Sequence, residues 1–221
     1  MKDTVHIRPY KQSDRKSIES IYFDTGFLGK SLSPLVDNKK SWTEALDHYF
    51  TKEPESIFIA ESSGKIIGYL IGCLDDKKSH ETRTFLISLI KNLLQYPHMS
   101  RKDRSFWNNR LLFLPRVVLG LSGELNFKVP PNAGHLHINL LPACRGIGIG
   151  TKLLNAFEHY ARKQGMKVIH ADSFETPQTL NKHFWLKNGF TEYSRVKTQF
   201  WEPFLPTEHT DLVCYVKRLD R

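Results

Sequence analysis

The sequence predicts an α/β (α+β) fold: a mixed central β-sheet of about six to seven strands flanked by helices, with a helical insertion between strands 3 and 4. Three observations carry this. Two apolar, β-rich runs flank Glu61-Ser62-Ser63-Gly64, a hairpin signal that places antiparallel strands early. The last third alternates strand-like and helix-like segments in the order βαβαββ. Between these regions, residues from about 75 to 131 interrupt the β pattern with helical periodicity. A chain of 221 residues suffices for one such domain with a full core, so residues 1–221 read as a single domain.

In order, residues 5–8 read as a strand, after which Ser13-Asp14 caps a helix to about residue 24 with Ile18, Ile21 and Tyr22 on one face. Residues 26–38 form a loop containing Gly29 and Pro34, followed by a helix over about 41–50. Strands are expected at 56–60 and 65–73. In the insertion, Phe85, Leu86, Leu89, Ile90, Leu93 and Leu94 recur at helical spacing and predict a helix over 82–95. Phe106, Trp107, Leu111, Leu112, Phe113 and Val117 make the rest too apolar for a solvated loop, so it should pack on the domain or on a partner. Val129-Pro130-Pro131 is the seam. Strand 135–141, helix 151–164, strand 167–173, helix 178–188 and two strands near 192–201 and 211–217 complete the chain.

Composition narrows the class. Hydrophobic content of 40% is ordinary, and no apolar run approaches the roughly 18 residues that cross a bilayer. The N-terminus lacks the apolar core of a signal peptide, so neither membrane nor export is expected and a cytoplasmic location follows. Three cysteines, Cys73, Cys144 and Cys214, have no metal or redox spacing and read as reduced thiols. The net charge of +9 suits an anionic partner. Its densest groups, Lys77-Lys78 and Arg101-Lys102-Asp103-Arg104, are too short and mixed for a nucleic-acid tail, so no nucleic-acid partner is expected.

The segment Arg145-Gly146-Ile147-Gly148-Ile149-Gly150 lies between a strand and a strong helix, where glycines turn backbone N–H groups toward a ligand and the helix start adds positive potential. A phosphate is the expected guest. A P-loop is excluded because Thr151 precedes Lys152, and a dinucleotide fingerprint fits poorly because Thr151 and Leu153 stand where its third glycine would be. An S-adenosylmethionine-dependent methyltransferase competes, with Asp172 as a ribose-binding acid, but only 71 residues follow Gly150, too few for the remaining βα units (221 less 150).

Strand 135–141, then Pro142-x-x-Arg145-Gly-Ile-Gly148-Ile-Gly150, an amphipathic helix, a short strand and Phe184-Trp185-Leu-Lys-Asn-Gly189-Phe190 together resemble the GNAT superfamily of acyl-coenzyme A-dependent acyltransferases. The resemblance implies an N-acetyltransferase that passes an acetyl group from acetyl-CoA, its cosubstrate, directly to a small-molecule or peptide amine in a ternary complex, without a metal. It implies that the strand ending in Leu140 and Leu141 splays from its neighbour to admit pantetheine. Arg145, Gly146, Ile147, Gly148, Ile149, Gly150 and Thr151 would wrap the pyrophosphate, and Gln178 or Asn181 would hold pantetheine by an amide. Trp185 stands where many members carry a tyrosine that protonates the thiolate; an indole is no practical proton donor, leaving water or His183. A coenzyme A-binding module without turnover is the alternative.

Family members place the base on the strand before the phosphate loop. There His135, His137 and Asn139 alternate, and a period of two puts all three on one face. Histidine titrates near neutrality, which favours His137 as base, then His135, with Asn139 as a positioning group. Hydrogen-bonding or metal-binding roles remain open for these histidines, although no third metal ligand is evident nearby in the sequence. The insertion reads either as a lid on the acceptor site or as a stability or homodimer element.

Overall fold

The computed structural model describes residues 4–74, 94–179, 181–205 and 209–220. Seven strands form one sheet: β1 (Val5–Pro9), β2 (Ile57–Ser62), β3 (Lys65–Cys73), β4 (Gly134–Leu140), β5 (Val168–Glu175), β6 (Thr191–Thr198) and β7 (Thr210–Arg218), in the order β1-β2-β3-β4-β5-β7-β6. Every neighbouring pair is antiparallel except β4–β5. A single parallel pair gives the methyltransferase alternative no support, because that reading needs a sheet of parallel βα units. The β2–β3 hairpin closes as the sequence predicts. Ser62 faces Lys65, and Ser63 and Gly64 adopt φ of 48° and 72°, the two positive values that match the twist of the flanking strands.

Alternation along β3 and β4 separates two apolar layers. Leu70 and Leu136 face one side, where α5 (Ile149–Lys163) buries Leu153, Leu154, Phe157 and Ala161 against them. These four recur at helical spacing, which is why residues 149–163 read so clearly as a helix. Phe190 and Trp185 join this cluster from α6 (Asn181–Lys187) and the turn after it. Tyr69 and Ile71 face the other side with Ile18 and Ile21 of α1 (Arg15–Thr25).

The helix expected over 41–50 is broken. It runs as α2 (Lys39–Thr43), a 3-10 turn (Glu44–Leu46) and α3 (Asp47–Lys52). The reason lies in packing. Tyr49 and Phe50 join the Ile18 cluster, whereas Trp42 packs in a separate cluster with Phe106 and Trp201. One straight helix cannot serve both, and tertiary burial overrides local propensity.

The helix expected over 82–95 lies outside the described residues except for its last two. Further along the insertion, α4 (Arg101–Val118) buries Asp103, Phe106 and Arg110 on one face. Asp103 accepts hydrogen bonds from the Asp37 and Asn38 N–H groups at 2.9 and 3.1 Å, tying the insertion to the 26–38 loop. The opposite face is open: Leu112, expected to pack, is 69% exposed, and Val118 76%. Among the described residues no helix is long and apolar enough to cross a membrane.

Candidate active site

The parallel pairing of β4 with β5 covers only Gly134↔Ile169 and His135↔His170. Beyond it Leu136 to Leu140 keep their antiparallel partners on β3 but have none on β5, so the two strands part toward the glycine turn. This is the splay that the resemblance implies.

His135, His137 and Asn139 share one face, as expected. The His135 and His137 rings meet edge-on with centroids 4.3 Å apart, and Tyr49 lies edge-on to His137 at 5.8 Å. The Tyr49 hydroxyl lies 3.4 Å from His135 Nδ1. Asn139 Nδ2 donates to Thr25 Oγ1 at 2.5 Å, which commits its amide to α1 and fits a positioning role.

Two residues missing from the candidate set complete the cluster. His170 stacks on His135 with centroids 4.8 Å apart, and Asp172 lies with Oδ1 3.4 Å from His170 Nδ1 and Oδ2 3.9 Å from His135 Nε2. The signal was present in the sequence, since His170 and Asp172 alternate on a predicted strand just as His135 and His137 do. What the sequence lacked was the pairing that sets the two strands side by side.

A third potential ligand that the sequence did not reveal is therefore close in space: one ligand atom from each of His135, His170 and Asp172 lies within 4.8 Å of the others. Their geometry is poor for an ion. The His135 and His170 planes differ by 29°, so their in-plane lone pairs run along similar planes and converge less well than those of rings set at a steep angle.

Burial pushes His135 well below the ordinary histidine range, helped by the facing His137. Burial also lowers His137, against the opposing pull of Asp172. Burial alone would raise Asp172, but the His170 hydrogen bond and the facing imidazoles bring it below the ordinary carboxylate range. Within the cluster His135 and His137 are thus held neutral beside one carboxylate. A stability consequence follows from the depressed histidines. Below about pH 6.5 the unfolded chain takes up protons that the folded chain resists. Their contribution is complete above that pH and is lost as the pH falls through the folded-state values, at up to about 1.4 kcal/mol per pH unit for each histidine. Thermal melts from pH 8 to 5 should show a steeper decline for the native chain than for a His135→Gln/His137→Gln double variant; equal slopes would refute it.

The glycine turn matches its expected form in part. Gly146 and Gly148 have φ of 78° and 86°, and a Cβ on either would meet nothing within 4 Å. Gly148 is the N-cap of α5, so the N–H groups of Ile149, Gly150 and Thr151 begin the helix without intrahelical acceptors. The Ile147 side chain is 68% exposed. Gly150 acts differently, since a Cβ there would lie 2.9 Å from Phe184 Cε2; its smallness lets α6 approach α5.

The Arg145 side chain turns away from the phosphate position, donating from Nε to the Leu140 carbonyl (3.1 Å) and from a terminal nitrogen to the Gly29 carbonyl (2.8 Å). It ties the 26–38 loop to the end of β4. The Leu141 N–H donates to the Ile67 carbonyl at 3.0 Å, extending the β3 contact past Leu140. Asn181 Nδ2 donates to Ser173 Oγ at 3.0 Å, which fixes α6 on β5, while Gln178 is exposed in the preceding turn. Trp185 is 5% exposed and stacks on Tyr215 at 6.0 Å, so the tyrosine-equivalent position is a core residue here. His183 is exposed on α6.

None of the curated proteins matches the chain. The Acetyltransferase (GNAT) family model matches residues 95–190. Among solved structures, SsHAT is 23% identical with a TM-score of 0.68, covering 99% of this chain and 100% of its own. A polyamine N-acetyltransferase of Drosophila melanogaster, which catalyses the formation of N-acetylagmatine, is 12% identical with a TM-score of 0.57, covering 97% and 100%. The structure of yncA from Salmonella typhimurium with its cofactor acetyl-CoA is 17% identical with a TM-score of 0.55, covering 99% and 95%. The fold is thus shared from end to end with solved N-acetyltransferase structures, and the residues that match the Acetyltransferase (GNAT) family model, 95–190, span α4, the parted strand and the glycine turn.

Proposed function

We propose that the protein transfers an acetyl group from acetyl-CoA to an amine by direct attack in a ternary complex, with residues 1–221 acting as one domain. The observation that carries this reading is the gap between β4 and β5, which has the αL glycine turn at its far end and His137 on its lip. Backbone N–H groups at the start of α5 take the pyrophosphate, and the unpaired edge of β4 at Leu136–Leu140 offers main-chain partners to pantetheine. Gln178 and Asn181 flank the β5 side. Acetyl-CoA supplies the activated acyl group. Neutral His137 accepts the proton that the amine must lose, and Asn139, held by Thr25, orients the acceptor.

A leaving thiolate does not require a dedicated acid. A thiol with a pKa of about 8.5 is mostly protonated at neutral pH, so water suffices and the buried Trp185 is no obstacle. The burial of Trp185 nonetheless keeps the module without turnover as a second reading. Calorimetric titration with acetyl-CoA, followed by thiol release over an amine panel, separates the two. Micromolar binding with turnover supports the enzyme, binding without turnover supports the module, and no binding removes both.

A further inference from the structure

Resting on the acetyltransferase reading, we propose that Asp172 binds the acceptor's ammonium group, and that the acceptors are cationic primary amines with an apolar body. The first ground is position. Asp172 is two residues past His170, the last β5 residue paired with β4, so it stands on the β5 lip of the gap across from His137. Its side chain is 27% exposed, against 11% for His135 and 4% for His170. It is the member of the cluster that the cleft reaches most readily.

The second ground is charge. The chain carries an excess of nine positive charges; the buried Asp14, Glu158 and Glu175 each meet an arginine or lysine, and the buried Asp103 is held instead by the Asp37 and Asn38 N–H groups and Ser100. Among the described residues Asp172 pairs with no lysine or arginine; its partners are His135, His170 and the Cys214 thiol on β7. His135 is held neutral by burial, and so is His137. A half-buried carboxylate with no lysine or arginine beside it leaves a place for a cation, and an ammonium fills it. When the amine passes its proton to His137, the positive charge stays beside Asp172, so the carboxylate favours the complex before and after the transfer.

The third ground concerns the body of the acceptor. Phe174, next on this face of β5 and about 6.6 Å further along, stacks on Phe200 at 5.1 Å and meets Trp201 edge-on at 6.1 Å. Behind this wall lies Arg110, 3.5 Å over Phe200 and 4.8 Å from Trp201. A buried guanidinium there opposes a second cation on the acceptor. Monoamines are therefore favoured over diamines and guanidino amines.

The test is equilibrium binding of 2-phenylethylamine to the full chain with coenzyme A present, beside its neutral isostere 2-phenylethanol and beside agmatine. The amine should bind about 10- to 100-fold more tightly than the alcohol, the gain of one charged hydrogen bond. Asp172→Asn should erase that preference while leaving alcohol affinity, coenzyme A affinity and the melting temperature near native values. Native protein that binds alcohol and amine equally overturns the proposal without need of any variant, as does native protein that prefers agmatine. An unchanged preference in Asp172→Asn also overturns it. Failure of acetyl-CoA to bind would strike the acetyltransferase reading alone, because the amine measurement does not depend on turnover.

Discussion

Replacing Gly148 with glutamate is expected to weaken acetyl-CoA binding by at least about 100-fold while the chain stays folded. Gly148 holds φ of 86° and ψ of 0° at the N-cap of α5, and a Cβ there would meet no protein atom within 4 Å. The cost to the fold is therefore confined to backbone strain, about 1–2 kcal/mol for a side chain in the left-handed region. That corresponds to a fall in melting temperature of about 2–4 °C per kcal/mol. The cost to the ligand is larger. The added carboxylate occupies the positive end of the helix and repels the pyrophosphate. Losing two hydrogen bonds to a charged group, at about 1.5–3 kcal/mol each, corresponds to about 10²–10⁴ in affinity. Gly148→Ala separates the contributions, since it imposes the strain without the charge. Its melting temperature should match that of Gly148→Glu while its affinity stays closer to native. Calorimetry reads both, and native affinity in the glutamate variant would contradict the phosphate assignment.

Local pattern was legible where one periodicity governs a whole element. The β2–β3 hairpin is written in Ser63-Gly64, and α5 in the spacing of Leu153, Leu154, Phe157 and Ala161. Features that depend on distant pairing were not legible. The insertion of β7 between β5 and β6 leaves no local trace, because strand order follows from which apolar faces meet after collapse. The break after Thr43 belongs to the same class, since it exists to send Trp42 and Tyr49 into different clusters. The candidate site divides in the same way. The row His135, His137, Asn139 follows from period-2 geometry alone, whereas His170 and Asp172 become its partners only through β4–β5 pairing. Arg145 shows the limit of a motif. Its position fits the family pattern, yet its side chain spans to the Gly29 carbonyl, and only the turn's backbone is left for the phosphate.

His137→Gln is expected to lower kcat by about 10²–10⁴, the usual contribution of a positioned base, with acetyl-CoA affinity unchanged. His135 is the weaker choice. It sits at the last β4–β5 pair, with Nδ1 beside the Tyr49 hydroxyl and Nε2 toward Asp172, whereas His137 lies one step further along, where the strands have separated. His135→Gln should therefore cost less, acting through the orientation of its neighbours. The pH profile distinguishes a base from a merely structural histidine. Burial lowers the His137 value below the ordinary one, so the imidazole is unprotonated at neutral pH and protonates only on further acidification. The acid limb of kcat against pH should then fall below about pH 6.5 in the native enzyme. It should vanish in His137→Gln, whose residual rate has no base left to titrate, but persist in His135→Gln. An acid limb retained in His137→Gln would move the base to another group.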